Sequence, residues 1–180
     1  MNMTSLKKLL TPKVIVWVIV LILILAYVGY TRSDSRVTWT MYRTPKAETQ
    51  LLNDEGKTIT LPVRYLKNPG TGDNPYKNVG VNTIRKENIY YAYTRDATTA
   101  HNTRDIKAPI DIAFFSQEGS LLSIFQAKAN SITTYQPING DGKRIPYRYI
   151  IMTAEGFWAK NFISEGSEAK LLVDKFRIKK

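Results

Sequence analysis

Residues 14–30 read Val-Ile-Val-Trp-Val-Ile-Val-Leu-Ile-Leu-Ile-Leu-Ala-Tyr-Val-Gly-Tyr, seventeen positions without a charge. At about 1.5 Å of rise per residue, such a run makes roughly 26 Å of helix, close to the thickness of a bilayer core. A helix apolar all round has no polar face to turn toward water, so a soluble domain would have to cover it on every side. The run therefore predicts one transmembrane helix. Lys13 and Arg32 flank it, and their stems can snorkel toward headgroups. Trp17, Tyr27 and Tyr30 lie toward its ends, where amphipathic rings anchor at the membrane interface.

Lys7, Lys8 and Lys13 precede the run as the charged region of a signal peptide would. Cleavage needs small residues in an A-x-A-like pattern. The exit instead reads Ala26-Tyr27-Val28-Gly29-Tyr30-Thr31-Arg32, and bulky residues spoil each register. The expectation is an uncleaved single-pass anchor. Its short tail, residues 1–13, is expected in the cytoplasm, and the rest outside a bacterial inner membrane in the periplasm. Positive charges nearly balance across the run, so the orientation rests on the shortness of the tail. The chain has no cysteine, which suits an oxidising compartment without requiring one.

About 150 residues follow the anchor, enough for one domain with a real core. The net charge of +11 comes from scattered Lys and Arg and a basic tail at Lys175, Arg177, Lys179 and Lys180. Basic charge beside a membrane draws anionic headgroups or an acidic partner. No nucleic-acid motif accompanies it, and nucleic acid is not an expected partner.

The expected organisation is a tether with a first strand over 31–57 and a β-rich domain over 58–180. Val37, Trp39 and Met41 alternate with Thr38, Thr40 and Tyr42, as a strand would. Asn53–Lys57 reads as a turn, and 58–66 as a strand carrying Pro62. Residues 68–78 are loop-like and 89–93 strand-like. Residues 110–115 and 120–126 form a hairpin around Ser116-Gln117-Glu118-Gly119. Residues 147–152 and 171–178 are further strands, with a short helix within 154–162. Many short strands with one or two small helices predict an α+β chain: the transmembrane helix, then a compact, β-barrel-like mixed domain.

The stretch Ala108-Pro109-Ile110-Asp111-Ile112-Ala113-Phe114-Phe115, then Gln117-Glu118-Gly119, then Leu121-Leu122-Ser123-Ile124, is similar to the I-P-L-D-I-x-F strand, Gly turn and second strand of the family named domain of unknown function 192. Tyr147-Arg148-Tyr149-Ile150-Ile151 and Ala154-Glu155-Gly156-Phe157 resemble its later strand and A-G-like helix. Gly80-Val81-Asn82 with Arg85 resembles its upstream G-L-M-x-R signature. The resemblance spans 58–174 and is strongest over 108–174. It implies a small mixed β fold, often exported or tethered, and no settled enzymatic role. Where the family carries an F-W-M-K-N-T-like stretch, this chain has His101-Asn102-Thr103-Arg104-Asp105-Ile106. If that stretch lines a pocket in relatives, the pocket is altered here.

Asp111 lies inside an apolar strand and must be paired or hydrogen-bonded if buried. It is either a pocket acid facing Arg85 or Arg104, or a structural carboxylate capping a turn or pairing with an arginine; the structural reading is the stronger. His101 is the single histidine. One imidazole rules out most His-rich metal sites, and its polar surroundings predict an exposed loop residue. No serine sits in a G-x-S-x-G elbow, and Gly70-Thr71-Gly72 and Gly140-Asp141-Gly142 read as turns rather than phosphate loops. Tyr90, Tyr91, Tyr93, Tyr147 and Tyr149 form either an aromatic docking face or, more in keeping with alternation, the filling of a half-buried sheet. No catalytic set, metal site or cofactor is expected. The functional expectation is a non-enzymatic accessory subunit of a larger integral-membrane complex, photosynthetic or respiratory for example. Its partners would be integral-membrane subunits and the lipid bilayer. The alternative is a tethered extracytoplasmic binding domain for an envelope ligand such as a glycan or an anionic lipid.

Overall fold

The computed structural model describes residues 12–70, 73–164 and 166–179. Most of the expected tail over 1–13, with Lys7 and Lys8, lies outside the described residues, as do Thr71 and Gly72 of one predicted turn. Helix α1, Pro12–Arg32, runs two residues past the apolar stretch at each end. Proline suits the first helical turn, where its missing N–H has no helical partner to lose. At 21 residues α1 is long enough to cross a bilayer, and its described side chains are exposed apart from half-buried Thr31.

The predicted strand over 37–42 is instead α2, Trp39–Arg43. The Thr38 hydroxyl caps it by accepting the Met41 amide at 3.3 Å, and Pro45 follows its end. Six alternating residues fit either period, and the cap and the proline decide for the helix. Met41 is buried while Trp39 and Tyr42 remain exposed. The expected tether is also no free linker. The carbonyls of Arg36 and Asp34 accept the amides of Gly80 (2.9 Å) and Asn82 (2.8 Å), and the Tyr30 hydroxyl donates to the Val37 carbonyl at 2.7 Å. The segment after α1 thus satisfies amide groups that open helix α3, Val81–Ile84.

The remaining chain is α+β, built on one mixed, curled sheet. Its strands are β1, Lys46–Leu52; β2, Thr58–Lys67; β3, Ile89–Ala97; β4, Ile110–Phe115; β5, Leu121–Ala127; β6, Tyr147–Ala154; and β7, Lys170–Ile178. A short helix α4, Phe157–Lys160, follows β6. The order β5-β4-β6-β3-β2-β1-β7 is antiparallel except for the β2–β3 pair. Pro62 falls in the part of β2 that precedes its pairing with β3, so one side of the strand has no ladder to break. The two end strands meet at one place. Leu171 N–H donates to the Gly119 carbonyl at 2.7 Å, and Leu121 N–H to the Ala169 carbonyl at 3.2 Å. The sheet is therefore a half-barrel pinned at one end.

Both faces are covered. Ile110, Ile112, Phe114, Tyr91 and Tyr147 belong to one core with Ile84 of α3 and with Tyr76 and Ile106 from the loops. Ala113, Phe115, Tyr90 and Ile151 belong to the other with Trp158, Ile163 and Leu171. Double coverage explains why β4 reads as a continuous apolar run rather than an alternation. It also places Tyr90, Tyr91 and Tyr147 in the cores rather than on a docking face. Tyr76, in the predicted loop, is fully buried and its hydroxyl donates to the Glu87 carbonyl.

Candidate functional sites on the two faces of the sheet

The first site lies over the Tyr91–Tyr147 face. His101 is fixed by a backbone bridge with Tyr135, N–H to carbonyl both ways at 2.9 and 2.7 Å. It is not the exposed loop histidine expected from its polar neighbours. Its Nε2 lies 3.0 Å from the Tyr147 hydroxyl, and that hydroxyl gives its only proton to the Thr99 carbonyl at 2.7 Å. Nε2 must therefore carry the hydrogen and donate it, which makes Nδ1 the acceptor nitrogen of the ring. Burial holds the His101 pKa down at about 4, so the ring is neutral at physiological pH.

His101 lines a recess of about 260 Å³ with Tyr91, Tyr93, Asp73, Lys77 and Arg104. The Tyr91 hydroxyl donates to the Asp73 carbonyl at 2.7 Å, and the Asp73 carboxylate accepts the Gly70 amide at 2.8 Å. Lys77 and Asp105 pair at 3.2 Å. Arg104 makes no ion pair among the described residues. Asp105 takes a positive φ of 65°, which a short polar side chain tolerates. His101, Asn102, Arg104 and Asp105 together form one wall of this recess.

The second site lies over the opposite face. Asp111 is buried on β4 beside Gln126 of β5 and Thr153 of β6. Burial raises its pKa, and the amides of Gly156, Trp158 and Phe157 around the start of α4 partly offset this. Among the described residues, Oδ1 nonetheless has no hydrogen-bond partner, and neither has the buried indole Nε1 of Trp158. Both residues line an open groove between β5 and the 158–164 segment, with Asp54 and Glu55 at its rim and Phe125 and Phe162 in its walls. The rim is fastened in place: Asn53 Nδ2 donates to the Asn161 carbonyl at 3.1 Å, and the Asp54 amide to the Phe162 carbonyl at 3.3 Å.

The expected grouping of Asp111 with an arginine does not form. Arg104 stands on the other side of the sheet, in the recess. Arg85 is an exposed residue at the end of α3 and lines neither site. Asp111 instead lies beside the backbone amides that open α4. Sequence reasoning missed His101 and Trp158. The one available signal was Pro109-Ile110-Asp111: a carboxylate in a strand buried on both faces must face something polar or something absent.

A third feature follows α1. Trp39 and Tyr42 stack at 5.9 Å, and the Arg43 guanidinium sits 5.5 Å from the Trp39 ring centre. They form an exposed aromatic and cationic shelf seven residues beyond Arg32. Of the residues expected at a membrane interface, Trp17, Tyr27 and Tyr30 are exposed on α1, and Lys13 and Arg32 stand in its first and last turns.

Comparison with known proteins adds the fold and no identity. No family model matches the chain, and no curated protein does. A candidate transcription regulator from Sinorhizobium meliloti superposes with a TM-score of 0.53 at 15% identity, over 70% of this chain and 93% of that one. A protein of unknown function from Novosphingobium aromaticivorans superposes with a TM-score of 0.51 at 14% identity, over 74% and 96%. At such identity the likeness shows that the half-barrel is a fold shared with these bacterial proteins, without assigning an activity.

Proposed function

We propose that this chain is a single-pass, membrane-anchored binding domain of the bacterial inner membrane, with its half-barrel on the periplasmic side. It takes a small, phosphate- or carboxylate-bearing envelope ligand in the His101 recess. The observation that carries this reading is the recess itself, partly open and lined by both polar and aromatic side chains, with the His101 ring and an Arg104 guanidinium that makes no ion pair among the described residues. An anionic oxygen would pair with Arg104, and a ligand hydroxyl would donate to His101 Nδ1. The reading is binding rather than catalysis because the partner of His101 is a tyrosine hydroxyl and not a carboxylate. Nothing there raises the basicity of the ring. The resemblance to domain of unknown function 192 belongs to the same proposal. It is supported by β4 and β5 forming the hairpin that the I-D-I-A-F-F stretch predicts.

Titrating the full chain in lipid nanodiscs with glycerol phosphate tests it. Saturable binding is expected, weakened at least tenfold in Arg104→Ala and in His101→Phe. Binding of equal strength in both variants, or none in the parent chain, overturns the reading.

A second reading is favoured by the Trp39–Tyr42–Arg43 shelf and the exposed, uncharged surface of α1 over 14–30. Both would suit an accessory subunit packed against a larger integral-membrane complex, photosynthetic or respiratory. Copurification at fixed stoichiometry from native membranes supports this, and a stable monomer in mild detergent rejects it.

A further inference from the structure

In a chain of net charge +11, the groove over β5 is lined by Asp54, Glu55 and Asp111 and by no lysine or arginine. Glu55 is paired with exposed Lys57 at 2.8 Å. Asp54 makes no ion pair among the described residues, and Asp111 holds a buried oxygen with no partner. A buried acceptor left unmatched costs the desolvation of that oxygen with nothing returned. Trp158, whose buried indole N–H is likewise unmatched among the described residues, lines the same groove. The walls between them are aromatic and aliphatic: Ile124, Phe125, Phe162 and Ile163. Phe162 is 61% exposed and has a positive φ of 56°, an uncommon conformation for a bulky residue.

We propose that this groove is a binding site for an organic cation: a primary ammonium with an apolar body and a neighbouring hydroxyl or carbonyl oxygen. The ammonium donates to Asp111 Oδ1, with Asp54 adding negative potential at the rim. The oxygen accepts from Trp158 Nε1, and the apolar body lies against Phe125 and Phe162. Aromatic faces favour a nearby cation as well as an apolar group, so the two demands do not conflict. Burial raises the Asp111 pKa from its ordinary value, and a bound ammonium would bring it back down. The site stands on the opposite face of the sheet from the His101 recess and is independent of it.

Phenylethanolamine carries the three required groups, and phenylethane diol replaces its ammonium with a neutral hydroxyl. Full-length protein in nanodiscs is titrated with each while the Trp158 indole N–H resonance is followed, assigned by its disappearance in Trp158→Phe. The expected result is a saturable shift with the amine and at least tenfold weaker binding of the diol. Asp111→Asn should weaken the amine at least tenfold, with little effect on the diol. Asp54→Asn, an exposed change that leaves the core untouched, should weaken the amine a few-fold and carries the test if Asp111→Asn does not fold. Equal binding of amine and diol, an indole resonance that does not move, or unchanged amine affinity in both acidic-residue variants overturns the proposal.

Discussion

Replacing Gly80 by alanine should uncouple the half-barrel from the segment that follows α1. A Cβ at this position would lie 2.2 Å from the Asp34 carbonyl oxygen and 2.6 Å from the Arg36 amide nitrogen. Both neighbours are backbone, so neither can swing aside as a side chain could. Restoring ordinary contact requires the 34–36 segment to retreat by about 1 Å, more than a hydrogen bond of normal length tolerates. The Gly80–Arg36 and Asn82–Asp34 bonds would be lost together, at about 1 kcal/mol each in net terms. A local loss of about 2 kcal/mol corresponds to roughly a 30-fold rise in the open population. Amide hydrogen exchange on the full chain measures this directly. The Asn82 amide should exchange roughly 30-fold faster, while Ile151 in the core strand β6 keeps its protection. Gly140→Ala, where a Cβ meets nothing within 4 Å, is the matched control and should change neither. If Asn82 protection in Gly80→Ala equals that of the parent, the segment after α1 is not clamped to the domain and the account given of α3 fails.

Gly119 holds the seam of the half-barrel with a φ of +82°, and an added Cβ would lie 2.1 Å from the Leu171 carbonyl oxygen. Gly119→Ala should cost about 3 kcal/mol, from left-handed strain and two weakened seam bonds. A denaturation midpoint unchanged from the parent would contradict the pinned seam. Because the folded-state pKa of His101 lies at about 4, below the usual 6.5, its neutral form stabilises the fold. That contribution is complete above the unfolded pKa and is lost as pH falls from about 6.5 to 4. The loss amounts to about 3 kcal/mol over that window. His101→Gln should flatten the window in a pH series of urea denaturations, and an unaltered slope would show that the ring is not buried neutral.

Much of this molecule could be read from local sequence. The apolar run dictates α1, because seventeen uncharged residues admit a helix and little else. The turn at Asn53–Lys57, the hairpin across Gln117–Gly119 and strands β2, β4, β6 and β7 come from alternation, β-branched residues and turn chemistry, all of them effects within a few residues. The short helix after β6 was legible in the same way. Over Val37–Tyr42 alternation pointed to a strand, and the Thr38 cap found in the structure decides for a helix.

Contacts between distant residues required the tertiary structure. The parallel β2–β3 pair, and the seam between Gly119 and Leu171, join segments whose registers no local pattern encodes. The sheet separates Asp111 from Arg104, although seven positions divide them in sequence, because the chain changes face between them. The single histidine looked exposed among Thr, Asn and Arg, yet Tyr135 and Tyr147 enclose it, and its partners lie over 30 residues away in the chain. Sequence by itself determined the helix suited to a bilayer and the β-rich character of the domain beyond it, since both depend on short-range periodicity. Only the fold decided which side chains face one another across each surface of the sheet, because that depends on how the strands pair and curl.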